Sequence, residues 1–427
     1  MDGVDTMCSK QVQPLACTHN KTHQETHMHA RRATAAVALA IASFFAHAQV
    51  SDDKVKIGFI TDMSGVYADL DGPGGLEAIR MAVADFGGKV LGKSIEIVSA
   101  DHQNKADVAA SKAREWIDRD GVDVLFAGPN SAAGLSMNRI AAEKKRVYIN
   151  LGGGTPRLTN EECTPYTVHY AYDTNAHVRG TIGALRKQGV NSWYLLSVDY
   201  AFGKDMDAES RRVITAGGGK VVGGTRHPLG APDFSSYLLQ AQSSGAQAVA
   251  LANAGGDTIN AIKAAKDFGL DKKMRVVGLV MTIDEIHSLG LQTAQGMQLI
   301  DPWYWNSSDA ARKFGERFYT KYKKMPSALQ AADYSATLSY LKAVQAAGTD
   351  DSDRVMAKLK SMKIDDMYTK GGYVRADGMM IHDIYLFEVK KPSESTRPWD
   401  YYKLAQTIPG EQAFNTLAES ACPLVKK

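Results

Sequence analysis

Apolar and polar positions alternate along this chain in a strand-then-helix rhythm that starts at residue 55. Residues 55–60 form a β-rich apolar run, and over 75–86 Leu76, Ile79, Val83 and Phe86 recur at the three-and-four spacing of one helix face. A strand at 95–98, a helix at 107–119 with Val108, Ala113, Trp116 and Ile117 turned to one side, a strand at 122–126, a helix at 131–144 and a strand at 147–150 follow. After Asp173 a second series begins: helix 176–188, strand 193–198, helix 203–216, strand 220–224, helix 234–242, strand 248–251, helix 258–268 and strand 275–280. Alternation of this kind builds parallel sheets covered by helices, so the pattern predicts an α/β protein with two separate halves. Three later helices, 308–323, 331–347 and 353–360, bring no new strands and are expected to fold back over the first half.

Length agrees with two halves, since 427 residues exceed what one compact core ordinarily holds. Fifty basic against 47 acidic residues leave a formal charge of +3, which speaks against a nucleic-acid partner. Hydrophobic content of 44% with 38 glycines fits a globular chain rich in tight turns.

Residues 33–48 are the only long uncharged apolar run. Arg31 and Arg32 precede it and Ala46-His47-Ala48 closes it, the parts of a cleaved secretory leader with the cut before Gln49. That run is short for a permanent membrane anchor, and no cysteine follows the cut to carry a lipid. Met28 stands where such a leader would begin, so residues 1–27, with His19, His23 and His27, read as an upstream segment, and residues 1–48 as a whole are excluded from the fold. Cys163 and Cys422 are the two cysteines left beyond the leader, and an even pair in an oxidising compartment suggests a disulfide rather than two buried thiols.

One stretch imitates a phosphate-binding loop. Gly87-Gly-Lys-Val-Leu-Gly-Lys-Ser94 has the right letters, but a helix precedes it and a strand follows, the reverse of the order that converges amides on phosphate. The glycines read as a helix stop and a turn. No nucleophile elbow, metal-spaced histidine pair or cysteine cluster is present in the sequence, and the remaining histidines are scattered singly. No enzyme chemistry, metal or cofactor is therefore expected.

Lys56-Ile-Gly-Phe-Ile-Thr-Asp-Met-Ser-Gly65 with Tyr67, the Gly72-Pro-Gly-Gly75 turn, and Ala84-Asp-Phe-Gly-Gly88 resemble the leucine/isoleucine/valine-binding family of periplasmic receptors. Gly152-Gly-Gly-Thr155, Asp199-Tyr-Ala-Phe-Gly203 and Asn253-Ala-Gly-Gly-Asp257 continue the resemblance, in order, across residues 53–427. What it implies is a type I periplasmic-binding fold: two Rossmann-like lobes joined by three crossing strands near Tyr172, Asp301 and Ile381. Lobe 1 would comprise 53–172 plus 301–381, and lobe 2 would comprise 173–300 plus 382–427. A ligand beyond the carboxyl ends of the strands agrees with the general rule for open α/β sheets.

The same resemblance assigns the ligand carboxylate to Asn130 and Ser131 and to the backbone of Gly152, Gly153 and Gly154, where glycine permits close main-chain approach. In lobe 2 it assigns Tyr200 as an aromatic wall and Asp257 as a counter-charge, and it puts Tyr67, Tyr172 and Trp303 at the rim or hinge. Plain alternatives stand beside these: the loops as ordinary strand-to-helix turns, Asp257 as a helix cap, Trp303 as hinge packing. The implied role is a monomeric periplasmic binding protein that delivers an amino acid or an aromatic carboxylic acid to the permease of an ABC importer. A signalling receptor of the same fold and an extracellular hydrolase are the rivals.

Overall fold

The computed structural model describes residues 50–426; the expected leader, the histidines before it and the cut before Gln49 lie outside the described residues. The first half of the chain runs β1 (Lys54–Thr61), α1 (Gly72–Asp85), β2 (Lys89–Val90), β3 (Lys93–Asp101), α2 (Ala106–Asp118), β4 (Val124–Ala127), α3 (Ser131–Glu143), β5 (Val147–Asn150) and β6 (Thr167–His169). These strands form one sheet in the order β2-β3-β1-β4-β5-β6, parallel except where β2 meets β3. β1 is central because Val55, Ile57, Phe59 and Ile60 leave neither of its faces fit for water.

Lys89 pairs antiparallel with Ser94 through a turn at Leu91 and Gly92, whose φ angles are both positive, 51° and 80°. That is a two-residue hairpin. The glycine-rich stretch that imitates a phosphate loop is a helix stop and a hairpin, without the strand-to-helix order phosphate binding needs.

The second half runs α4 (Thr174–Lys187), β7 (Ser192–Val198), α5 (Ala201–Ala216), β8 (Lys220–His227), α6 (Ser235–Ser243), β9 (Ala248–Ala252), α7 (Gly256–Asp267), β10 (Arg275–Gly278), α8 (Ile283–Leu289) and α9 (Leu291–Ala294). Its four strands make a separate parallel sheet in the order β10-β9-β7-β8. Every residue of β9 is buried, as a strand covered by helices on both faces requires.

The chain then returns through β11 (Gln298–Asp301), α10 (Asp309–Tyr322), α11 (Ala328–Ala347), α12 (Ser352–Ser361), β12 (Tyr373–Val374), β13 (Met380–Ile381), β14 (Ile384–Val389), β15 (Tyr402–Ile408) and α13 (Gly410–Ala413). α11 is buried almost all round and packs on α1. At their junction Ser327 Oγ donates to the Leu70 carbonyl at 2.6 Å and Gln330 Nε2 to the Asp69 carbonyl at 3.2 Å. The helices after β11 therefore cover the first sheet. A third, antiparallel sheet, β11-β14-β15, lies at the junction of the halves. Ile300 packs against Gly180 of α4, where a Cβ would come within 2.4 Å of its side chain. Ala176, Ile300, Met379, Ile384, Leu386 and Phe414 share a small core of their own there.

The strands of this junction sheet are absent from the alternating pattern in the sequence. β11 has four residues, and β15 is exposed along most of its length, so neither shows a buried periodicity.

Candidate ligand-binding cleft

Three loops at the carboxyl ends of β1, β4 and β5 meet on one side of the cleft. After β1, the Asp62 carboxylate gathers its own loop: Oδ1 accepts from the Gly65 amide at 2.7 Å, and Oδ2 accepts from the Tyr67 amide at 2.9 Å and from Asn104 Nδ2 at 2.6 Å. Asn104 Oδ1 in turn accepts from Asn130 Nδ2 at 3.1 Å. A chain of buried or half-buried amides and a carboxylate thus sets the Tyr67 loop against the loop after β4.

Asn130 caps α3. Its Oδ1 accepts from the Ala133 amide at 3.0 Å, and its φ of 129° is a conformation held by this cap and by Asn104. Ser131 opens the helix. Its side chain is buried at 1% exposure, and its hydroxyl has no hydrogen-bond partner among the described residues. A buried hydroxyl without a partner is costly, and this one lies at the positive end of a helix, where an anion is favoured.

After β5 the backbone itself fills the site. A Cβ on Gly152 would come within 2.6 Å of the Pro129 nitrogen, on Gly153 within 2.6 Å of Asn150 Oδ1, and on Gly154 within 3.0 Å of the Tyr172 ring. Carbonyl oxygens are committed along this run: Gly152 to the Tyr172 hydroxyl at 3.1 Å, Gly153 to Asn150 Nδ2 at 2.8 Å, and Gly154 to the Thr174 amide at 2.8 Å.

From the other lobe come Tyr200 and Asp257. Tyr200 precedes α5 and stacks on Phe202 with ring centroids 6.2 Å apart. Its hydroxyl meets that of Tyr67 at 2.8 Å, across the cleft. Burial pushes both phenols well above the ordinary tyrosine value. Asp257 lies in the first turn of α7 at 1% exposure and accepts from the Gly230 amide at 3.1 Å. Burial pushes its carboxyl up to about 6, although the Gly230 and Ala231 amides pull the other way. Tyr67 and Tyr200 each feel Asp257 and Tyr172 electrostatically, so these four side chains share one environment.

The lobes are shut. Besides the tyrosine pair, the Gly256 amide donates to the Val66 carbonyl at 3.0 Å and Thr155 Oγ1 donates to Asp205 Oδ2 at 2.5 Å. Gly255, at φ 60°, leaves no room for a side chain: a Cβ there would lie 2.2 Å from the Val66 oxygen.

The structure therefore brings Tyr67, Asn130, Ser131, Gly152, Gly153, Gly154, Tyr172, Tyr200 and Asp257 into one connected region. Trp303 lies apart from this group, two residues after β11: its Nε1–H donates to the Met367 carbonyl at 2.9 Å and its ring meets Phe314 edge-on at 5.9 Å, contacts that suit the hinge-packing alternative. Sequence reasoning passed over Asp62, Asn104 and Glu285. Glu285 accepts from the Gly255 amide at 2.9 Å and closes a capping box with Thr282. Thr282-Ile-Asp-Glu285 is a legible capping signature, and Asp62 followed by Ser64-Gly65 is a legible turn. Asn104 has no such signal. Among the described residues no group of three or more His, Cys, Asp or Glu side chains is placed to hold a metal ion.

A family model described as periplasmic binding protein matches residues 54–395. The chain belongs to the periplasmic binding protein family. A crystallised periplasmic binding protein from Burkholderia mallei is 66% identical to it, covers 88% of this chain and all of its own, and superposes with a TM-score of 0.87. A branched-chain amino acid ABC transporter periplasmic ligand-binding protein from Burkholderia xenovorans LB400 is 43% identical, covers 87% of this chain and all of its own, and gives 0.77. Leu/Ile/Val-binding protein homolog 6 of Brucella melitensis biotype 1 is 30% identical over 55% of this chain; the aligned part spans 60% of that relative's length. The type I periplasmic-binding fold, with two Rossmann-like lobes, follows from family and structure together. Cys163 and Cys422 form the disulfide, with Cα atoms 5.6 Å apart.

Proposed function

We propose that this periplasmic binding protein captures a small carboxylate-bearing molecule between its lobes and presents it, closed, to the permease of an ABC importer, without chemical change. The observation that carries this reading is the Ser131 hydroxyl, buried and without a hydrogen-bond partner among the described residues at the start of α3, in a loop whose Pro129 and Asn130 pack against the backbone bared by Gly152 and Gly153. A carboxylate oxygen satisfies that hydroxyl and the positive helix end at once. Asp257 and Tyr200, on the opposite lobe, close over the ligand body, and Asp257 receives an ammonium or a hydroxyl. Branched or aromatic amino acids and aromatic carboxylic acids share this chemistry. The likeness to relatives described as Leu/Ile/Val-binding and branched-chain amino acid binding proteins supports the same class. The reading also puts the protein in the periplasm, acting as a monomer.

A thermal-shift panel of L-leucine, L-phenylalanine, 4-hydroxybenzoate and their neutral amides tests it. Ligands that bind the folded state raise the melting temperature. A carboxylate raises it and its amide does not; equal shifts for acid and amide, or no shift across the panel, refute the proposal.

A further inference from the structure

The last eighteen or so residues do something that the two-lobe clamp does not require. After β15 the chain forms α13, whose Gly410 lies so close to the His382 backbone that a Cβ would come within 2.6 Å of its carbonyl oxygen. It then runs along the second lobe. Asn415 Oδ1 accepts from Asn175 Nδ2 at 3.3 Å, and the Glu419 carboxylate pairs with Arg179 of α4 at 3.7 Å and feels Arg212 of α5. Within the next three residues it changes sides. Ser420 Oγ donates to the Thr159 carbonyl at 3.1 Å, the Ala421 amide donates to Asn160 Oδ1 at 3.0 Å, and Cys422 is bonded to Cys163. Thr159, Asn160 and Cys163 belong to the first lobe, in the segment between β5 and β6 that also carries Thr155, which meets Asp205 across the cleft.

The geometry points to the C-terminal tail as a strap that limits how far the lobes open and so governs ligand release from the cleft, a proposal that rests on the closing two-lobe reading above. The limit has a definite size. From the lobe-2 anchor at Glu419 to the covalent lobe-1 anchor at Cys422 is three residues, which span at most about 10 Å when fully extended. If the ion pair with Arg179 lets go, the next lobe-2 anchor, Asn415, is seven residues from Cys422, and the reach grows to about 25 Å. Glu419 is half exposed, so that catch is weak and releasable, whereas the disulfide is not. The tail thus allows two ranges of opening, a short one with the Glu419–Arg179 pair made and a longer one with it broken.

Hydrogen exchange at the Gly256 amide reads the opening directly, because its acceptor, the Val66 carbonyl, is on the opposite lobe. Amides of β9 at the centre of lobe 2 serve as the reference, since they exchange only when that lobe itself unfolds. In Cys163→Ser/Cys422→Ser the strap is cut, and Gly256 is expected to exchange about tenfold faster while β9 is unchanged. Glu419→Gln keeps the disulfide and the oxygen that caps Thr416 but removes the charge, and should give a smaller, equally selective rise. Unchanged Gly256 exchange in both variants, or an acceleration that β9 shares in full, overturns the strap. A wild-type Gly256 amide exchanging as fast as an exposed one would instead overturn the closed-lobe reading and leave the strap without a motion to limit.

Discussion

Replacing both cysteines by serine has a stability cost that can be worked from the connectivity. Cys163 and Cys422 are separated by 259 positions, so the bond closes most of the described chain into one loop. The chain-entropy expression for a loop of that length gives about 19 cal/mol/K, or about 5.5 kcal/mol at 25 °C, and residual order in the unfolded chain makes this an upper figure. For roughly 380 folded residues at ~2.1 cal/mol/K each, the unfolding entropy near the midpoint is ~0.8 kcal/mol/K, so the midpoint should fall by about 7 °C. Both cysteines are buried, at 8% and 3% exposure, so a hydroxyl in place of each sulfur does not lower the cost. Differential scanning calorimetry of the oxidised wild type and the double variant measures it. A fall of less than about 2 °C would refute the reasoning, because it would mean that the unfolded chain gains little freedom when a loop of this length is released.

Other perturbations probe the lobes and the cleft. Asp71, just before α1, and Asp333 of α11 are fully buried carboxyls in contact; burial raises both pKa values, Asp71 raises that of Asp333 further, and the hydrogen bonds from Asp333 and Thr61 pull Asp71 the other way. Raised acids contribute stability below the ordinary aspartate range that is lost as pH climbs through the raised values, so Asp333→Asn should flatten the decline in melting temperature as pH rises above the ordinary aspartate range; an unchanged slope contradicts this. Gly255→Ala places a methyl against the Val66 oxygen and strains a positive φ, so ligand affinity should drop by about tenfold or more, measured by titration calorimetry, and undiminished affinity would show that the lobes close without that contact. Asn104→Ala removes the bridge between Asp62 and Asn130 and should lower stability by about 1–3 kcal/mol in a urea titration; a change within a few tenths would remove it from the loop network.

Much of the fold was legible because the central strands of each sheet are buried on both faces and the helices between them on one. β9 is a continuous apolar run, β1 carries Val55, Ile57, Phe59 and Ile60 around Lys56, and 107–119 shows its core face in Ala113, Trp116 and Ile117. What escaped was the junction sheet β11-β14-β15, which stands outside the strand-then-helix alternation, and the short strands β6, β12 and β13, whose two or three residues are too few for any period to emerge. The cleft loops were legible through glycine, whose bare backbone at 152–154 has a steric cause in Pro129, Asn150 and Tyr172. Trp303-Tyr-Trp305 reads two ways from sequence because aromatic density at a crossing looks the same whether it lines a cavity or packs a hinge. The indoles of Trp303 and Trp305 settle on the Met367 and Trp399 carbonyls, contacts between distant segments that no local pattern announces. Asn104 was invisible for the same reason, since its partners lie 42 and 26 positions away.

The central claim is a carboxylate held by the first lobe and covered by the second, and a crystal structure with the tightest ligand of the panel bound tests it most directly. One carboxylate oxygen should lie within hydrogen-bond distance of Ser131 Oγ, with Tyr200 and Asp257 on the far side of the ligand. A ligand seated elsewhere, or one that leaves the Ser131 hydroxyl without a partner, would contradict the account.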